Sequence, residues 1–229
     1  ANTTGGESMF LYGGLFGDEF TTGDTFTQRV ETDQRALTPQ NGNITGAYRG
    51  LHLPRIGAIQ AREALAEFSP NAPAWNFSEM FFVEAYMLNL LAEHFCNGQP
   101  NEQIFLLALA KVDSGLARVG TGTEANQVRV RNALTVLKAR IQLNQGNFEA
   151  VPATVASVPT SYVWLQQHAL TANTPGVWSL VNNQRRYIVS DSEGPLQMNF
   201  GTANDPRVPT CRPGTAACTA AGFTTRRPF

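Results

Sequence analysis

Charge is what this chain has least of. Asp, Glu, Lys and Arg make up 15% of its 229 residues, against roughly 25% in an average soluble domain. With 17 basic and 18 acidic side chains the net charge is −1, so there is no basic field to attract nucleic acid or an anionic lipid surface. Cysteine is scarce as well: Cys96, Cys211 and Cys218 are the only three. No Cys-x-x-Cys pair occurs and His52, His94 and His168 are scattered, which excludes a readable zinc site. Long apolar runs are missing too. The most apolar stretch, 75–95, is interrupted by Glu79, Glu84, Asn89, Glu93 and His94. A bilayer centre penalises each full charge by about 2.5–3.5 kcal/mol, so this stretch reads as a buried helix. The opening Ala1-Asn2-Thr3-Thr4-Gly5-Gly6 has neither a basic start nor an apolar core, so no signal peptide is expected there. The chain is then a mature fragment or a piece of a longer protein.

Uncharged polar residues, mainly Thr, Asn, Gln and Ser, stand where the charges are missing. Such surfaces suit neutral polar ligands such as sugars, and they also occur on secreted bacterial proteins that bind nothing. At 229 residues the chain can bury one sizeable core. Its organisation is helical in the middle. Ala58, Ala61, Leu65 and Phe68 share one face of a helix predicted over 43–68, with a kink or fresh start at Pro54. Further helices are predicted over 74–96, 102–119 and 124–145, separated by breaks at Pro70, Gly98 and Gly122. Thr123 is the expected cap of the last, with Glu124 in its first turn. Phe81, Leu88, Leu109, Val112, Leu134 and Leu137 are the expected core, joined by Trp75 and Trp164, and Cys96 is expected as a buried thiol.

Gly146-Asn147-Phe148 follows the last of these helices. The glycine supplies a left-handed cap and the aromatic is expected to pack back on the helix, as in a helical-hairpin repeat. Such hairpins cannot bury their apolar faces alone, so two stacked antiparallel hairpins of tetratricopeptide-like type are predicted. Residues 1–42 read as a short helix near Met9–Leu15 in otherwise irregular chain. From Val158 onward Pro, Gly, Asn and aromatics dominate, with strand-like pieces at Ser161–Gln166, Val177–Val181 and Arg186–Val189. The fold class is therefore mainly α, with residues 1–157 as N-terminal loops plus scaffold and 158–229 as a loop-rich region with short strands.

Several segments stand in a recognisable order: Leu15-Phe16-Gly17-Asp18-Glu19-Phe20, Arg29-Val30-Glu31-Thr32-Asp33-Gln34-Arg35, Ala47-Tyr48-Arg49-Gly50-Leu51-His52, Glu79-Met80-Phe81-Phe82 and Glu93-His94-Phe95-Cys96-Asn97-Gly98. After the Gly146 hinge come Val158-Pro159-Thr160, Val189-Ser190-Asp191-Ser192-Glu193-Gly194 and Asn204-Asp205-Pro206-Arg207-Val208. In this order they resemble the SusD/RagB family of nutrient-uptake outer-membrane lipoproteins. The resemblance implies a surface-exposed, lipid-anchored protein on tetratricopeptide-like helix pairs. Such a protein acts as a lid on a SusC-like TonB-dependent barrel, to which it delivers oligosaccharide or peptide without catalysis. Three departures stand out: the lipidated cysteine is absent, only Asn97–Pro100 separates two helices where the family carries a longer insertion, and the family's C-terminal helices are absent. The chain is expected to be an incomplete piece.

No nucleophile elbow, phosphate-cradling glycine loop or metal pair is present, so no catalytic residue, metal or cofactor is assigned. Asp18-Glu19 is expected to be structural rather than an acid/base or calcium pair. Arg29, Arg35, Arg49 and Arg55 are expected to form a hydrogen-bonding network that ties the N-terminal loops to the first helix rather than to clamp an anion. The candidate ligand residues are Trp178, Asn182, Asn183, Arg185 and Tyr187, since sugar rings stack on aromatic faces while amides and guanidinium bond their hydroxyls. The alternative is that Trp178 and Tyr187 only seal loops. Pro213-Gly214 would let Cys211 and Cys218 meet in a disulfide, which an oxidising compartment favours; free thiols are the alternative. Two rivals stand beside the uptake reading: a helical-repeat subunit that binds protein, or serves structurally, in a surface assembly, and a glycoside hydrolase.

Overall fold

The structure, a computed structural model, describes residues 8–96, 98–166, 175–189, 199, 202–203, 210–211 and 224–225. It is mainly α. In chain order the elements are α1 (Met9–Phe16), β1 (Thr21–Thr22), α2 (Thr27–Asp33), α3 (Gly42–Phe68), α4 (Ala74–His94), α5 (Asn101–Val119) and α6 (Ala125–Asn144). A single 3₁₀ turn, Phe148–Ala150, leads into α7 (Val151–Val155), and a π-helical segment, Trp178–Asn183, precedes β2 (Tyr187–Ile188), β3 (Thr210–Cys211) and β4 (Thr224–Thr225). Two compact units result, one within Ala1–Gly50 and Gln167–Phe229, the other Leu51–Gln166.

In the second unit α4, α5 and α6 form antiparallel hairpins. Asn101 Nδ2 donates to the Ala92 carbonyl at 2.8 Å and Lys111 meets Glu84 at 3.1 Å, contacts that fix α5 antiparallel to α4. Ser78, Ala85 and Ala92 recur every seventh residue of α4, all buried, and Ala108 and Gly115 do the same on α5. These small side chains let the two helices approach closely, and theirs is the most extensive helix pairing of the unit. Around that seam Ile104, Phe105, Val112, Val119, Val130, Leu134, Leu137 and Ile141 form the core. Val112, Leu134 and Leu137 are buried as expected, whereas Leu88, Leu109 and Trp75 lie partly buried at its margin. Phe81 is half-buried and sits under Arg62 instead.

The helix ends show which local signals operate. Glu124, not Thr123, caps α6: its carboxylate accepts from Asn126 N and Gln127 N, both at 3.0 Å. An acidic group there satisfies two orphan amides and faces the positive end of the helix dipole. Gly146 has φ +75, the left-handed conformation that closes a helix at low cost only for glycine. The aromatic after it does not pack back, for Phe148 is 66% exposed. Thr154 makes the link instead, its hydroxyl donating to Gln142 Oε1 of α6 at 2.8 Å. The helix α4 stops at His94 rather than 96, Phe95 is extended, and Cys96 is exposed, not buried. Pro54 starts no new helix; α3 continues through it. The 161–166 segment is not a strand. Tyr162 and Trp164 hold it by side chains, Tyr162 Oη donating to the Arg129 carbonyl at 2.9 Å and Trp164 packing on Phe82 at 4.9 Å. Trp164 is thereby half-buried at an edge, not in the core.

The first unit is organised by α1 and a two-residue antiparallel pairing of β1 with β2, in which Thr21 faces Ile188 and Thr22 faces Tyr187. Leu11, Tyr12, Leu15 and Tyr187 are fully buried. The helix α2, absent from the sequence reading, puts its Asp33 carboxylate against β1, accepting from Thr21 Oγ1 at 3.0 Å and Thr22 N at 2.9 Å. Asn41 bridges the Gln28 carbonyl and Glu31, and accepts from Ile44 N to start α3. The strands β3 and β4 pair in parallel, Cys211 opposite Thr225. The Cys211–Cys218 pairing lies outside the described residues, which include only the backbone of Cys211.

Candidate functional site

The sequence candidates gather on the stretch 178–187. Its first part is not the expected strand over Val177–Val181 but the π-helical segment, in which the Gln184 N–H reaches back to the Ser179 carbonyl at 2.8 Å. Bonding from i to i+5 sets residue 183 about one turn beyond Trp178, a geometry found often at functional sites. Trp178 is 42% exposed, enough to offer a ring face. Asn183 and Arg185 are exposed as well, Arg185 with φ +56 at the turn into β2. The side chain of Asn182 lies outside the described residues.

Tyr187 does not belong to this surface. It is fully buried in β2, meets Phe20 edge-on at 6.4 Å between ring centroids, and lies 5.9 Å from the Arg29 guanidinium. Its role is packing. The structure therefore brings Trp178, Asn183 and Arg185 onto one exposed stretch and removes Tyr187 from it. These exposed groups, an aromatic ring, an amide and a guanidinium, are of the kinds that stack on a ring or donate to hydroxyl oxygens.

The four arginines divide. Arg29 is buried, stacked on Phe26 at 4.6 Å and bonded to Asp24 at 2.6 Å. Arg35 bonds Asp18 and the Phe16 carbonyl, so Asp18 is structural. Arg29 thus ties α2 to the Asp24 loop, and Arg35 ties it to the end of α1 and to Asp18. Arg49 is exposed and Arg55 half-buried.

A polar network joins α4 to α6 in the second unit. Arg140 grips Glu93 with two hydrogen bonds, Nε to Oε1 at 2.7 Å and a terminal nitrogen to Oε2 at 2.6 Å. Asn89, fully buried, donates to Glu93 Oε1 at 2.7 Å and accepts from Asn144 at 3.0 Å. Burial alone would raise the Glu93 carboxyl, but the Arg140, Asn144 and Asn89 hydrogen bonds and the guanidinium charge outweigh it and hold the group below its ordinary value. Burial lowers His94, reinforced by Arg140 against the pull of Glu93. Both depressions favour the deprotonated form in the folded state, so their stabilisation is complete above the unfolded values and is lost on acidification. Denaturant midpoints should accordingly fall below about pH 6.5 as the unfolded His94 protonates, and again below about pH 4.5 as Glu93 does. A midpoint higher at pH 5 than at pH 7.5 would contradict this.

One arrangement escaped the sequence. Arg62 of α3 lies over the Phe81 ring at 4.1 Å, and Arg118 of α5 over the Phe77 ring at 3.9 Å. The aromatic pair at i, i+4 on α4 was readable; the two arginines come to it only through the fold. No family model matches this chain, and no curated protein or solved structure shows significant similarity to it.

Proposed function

We propose that this protein is a non-catalytic nutrient-binding protein of the SusD/RagB type. In this reading it is held at the outer-membrane surface by a lipid anchor, binds oligosaccharide, and passes it to a SusC-like TonB-dependent barrel. The observation that carries the reading is the exposed Trp178 with exposed Asn183 and Arg185 on the same stretch of the first unit, in a chain whose second unit is built of antiparallel helical hairpins. Trp178 would stack on a sugar ring while Asn183 and Arg185 bond its hydroxyls.

A second reading has its own support. Leu106 and Leu107 on α5 and Val136 and Leu143 on α6 are exposed, and apolar helix faces suit a protein-binding helical repeat or a structural subunit. Membrane fractionation of the native host separates the two. The nutrient-binding reading expects this protein in the outer-membrane fraction, co-purifying with a large β-barrel after mild detergent extraction. Recovery in another fraction with a non-barrel partner would favour the second reading.

A further inference from the structure

We propose that the second unit holds a separate binding site for a small carboxylate with an apolar body, in the recess where α3, α4 and α5 meet. Its volume is about 260 Å³ and it is lined by Arg62, Ala66, Pro70, Phe77, Phe81 and Arg118. That volume sits just below the usual range of roughly 300–1,000 Å³ for ligand pockets, so the fitting ligand is small.

Two guanidiniums face one recess, each spread over a phenylalanine ring. Stacking holds a guanidinium plane in one orientation and leaves its edge donors free to meet a carboxylate in the two-pronged geometry that lysine cannot reproduce. Among the described residues only part of this donor capacity is used. Arg62 gives one terminal nitrogen to Glu84 Oε2 at 2.8 Å, and Arg118 has no acceptor among the described residues. The charges do not balance either. Buried Glu84 answers both Arg62 and Lys111, at 2.8 Å and 3.1 Å, leaving one positive charge over, to which Arg118 adds a second. Glu63 and Glu67, next to recess-lining residues on α3, are exposed and make no ion pair with either arginine among the described residues.

An anion between the two guanidiniums completes this arrangement, and the apolar floor selects its body. Phe77 is nearly fully buried, and Phe81, Pro70 and Ala66 extend the apolar lining. A bare inorganic anion would leave that lining wet. The site stands independently of the uptake reading, since it uses no residue of the 178–187 stretch.

The test is a titration of the isotope-labelled full chain with benzoate, followed by amide chemical shifts. Benzyl alcohol serves as the neutral counterpart and inorganic phosphate, at matched ionic strength, as the bare anion. Saturable shifts confined to amides near residues 62–70, 77–81 and 118 are expected with benzoate and not with benzyl alcohol. Arg118→Gln, at an exposed position, should weaken benzoate at least about tenfold while the amide shifts away from the recess stay in place; Arg118→Lys should not restore it. Absence of saturable shifts, equal binding by Arg118→Gln, or phosphate binding as tightly as benzoate would each overturn the proposal.

Discussion

Leu134→Ala should destabilise the protein by about 3–4 kcal/mol, and Gly115→Ala should change sign according to whether Leu134 is present. Leu134 is fully buried at the centre of the α4–α5–α6 core, where truncation combines lost transfer energy with the cost of a cavity. Gly115 stands directly opposite. A Cβ added there would lie 2.9 Å and 3.0 Å from the two Leu134 methyl carbons and 3.2 Å from Phe81 Cβ. In the parent protein that overpacking, typically about 1–3 kcal/mol, outweighs the roughly 1 kcal/mol that alanine gains over glycine in a helix. With Leu134 cut back, the methyl clashes disappear and the new Cβ fills part of the void. Gly115→Ala should then stabilise the Leu134→Ala protein. Urea denaturation of the four proteins reads the result as a double-mutant cycle; a Gly115→Ala effect of the same sign in both backgrounds would sink this account of the core.

Glu84→Ala is expected to cost about 3 kcal/mol. The Glu84 side chain is 3% exposed and accepts from Arg62, itself 18% exposed, and from Lys111. Removing the carboxylate leaves two cations close together with no counter-charge, and breaking a buried ion pair from one side typically costs about 3–5 kcal/mol. Lys111 is a third exposed and turns to water, which places the expectation at the low end. Glu84→Gln keeps an acceptor for Arg62 and should cost less. Equal stability of the alanine variant and the parent would mean that this pair does not brace α3 and α5 against α4.

What the sequence made legible follows from which forces were local. The helices α4, α5 and α6 carry a helical apolar period over many turns, with Pro or Gly near their breaks, and their observed bounds lie within two residues of the expected ones. Short elements were misread because their conformation is decided by partners. Val177–Val181 is apolar and partly β-branched, a run that periodicity cannot assign, and from Trp178 on it is π-helical. Residues 161–166 have strand-forming side chains but no ladder partner, and β-propensity amounts to little without one. The short α2 shows no apolar stripe. Thr32 and Arg29 are buried on it, and Asp33 secures it to β1 by hydrogen bonds that no helical or strand period signals. Tyr187 was a reasonable ligand candidate from composition alone, yet its pairing opposite Thr22 turns it into the core. The recess under Arg62 and Arg118 was hidden for a related reason: each arginine reads as an ordinary polar position on its own helix, and only the packing of three helices brings both to one aromatic pair.

The central claim, that this protein holds a glycan without altering it, is tested most directly by electrophoresis through native gels cast with soluble polysaccharides, followed by mass spectrometry of the recovered glycan. Retardation by at least one polysaccharide is expected, with most of it lost in Trp178→Ala and the glycan chain length unchanged. Shortened products would assign the protein to the hydrolases, and migration unaffected by any polysaccharide, or unchanged in Trp178→Ala, would contradict the account.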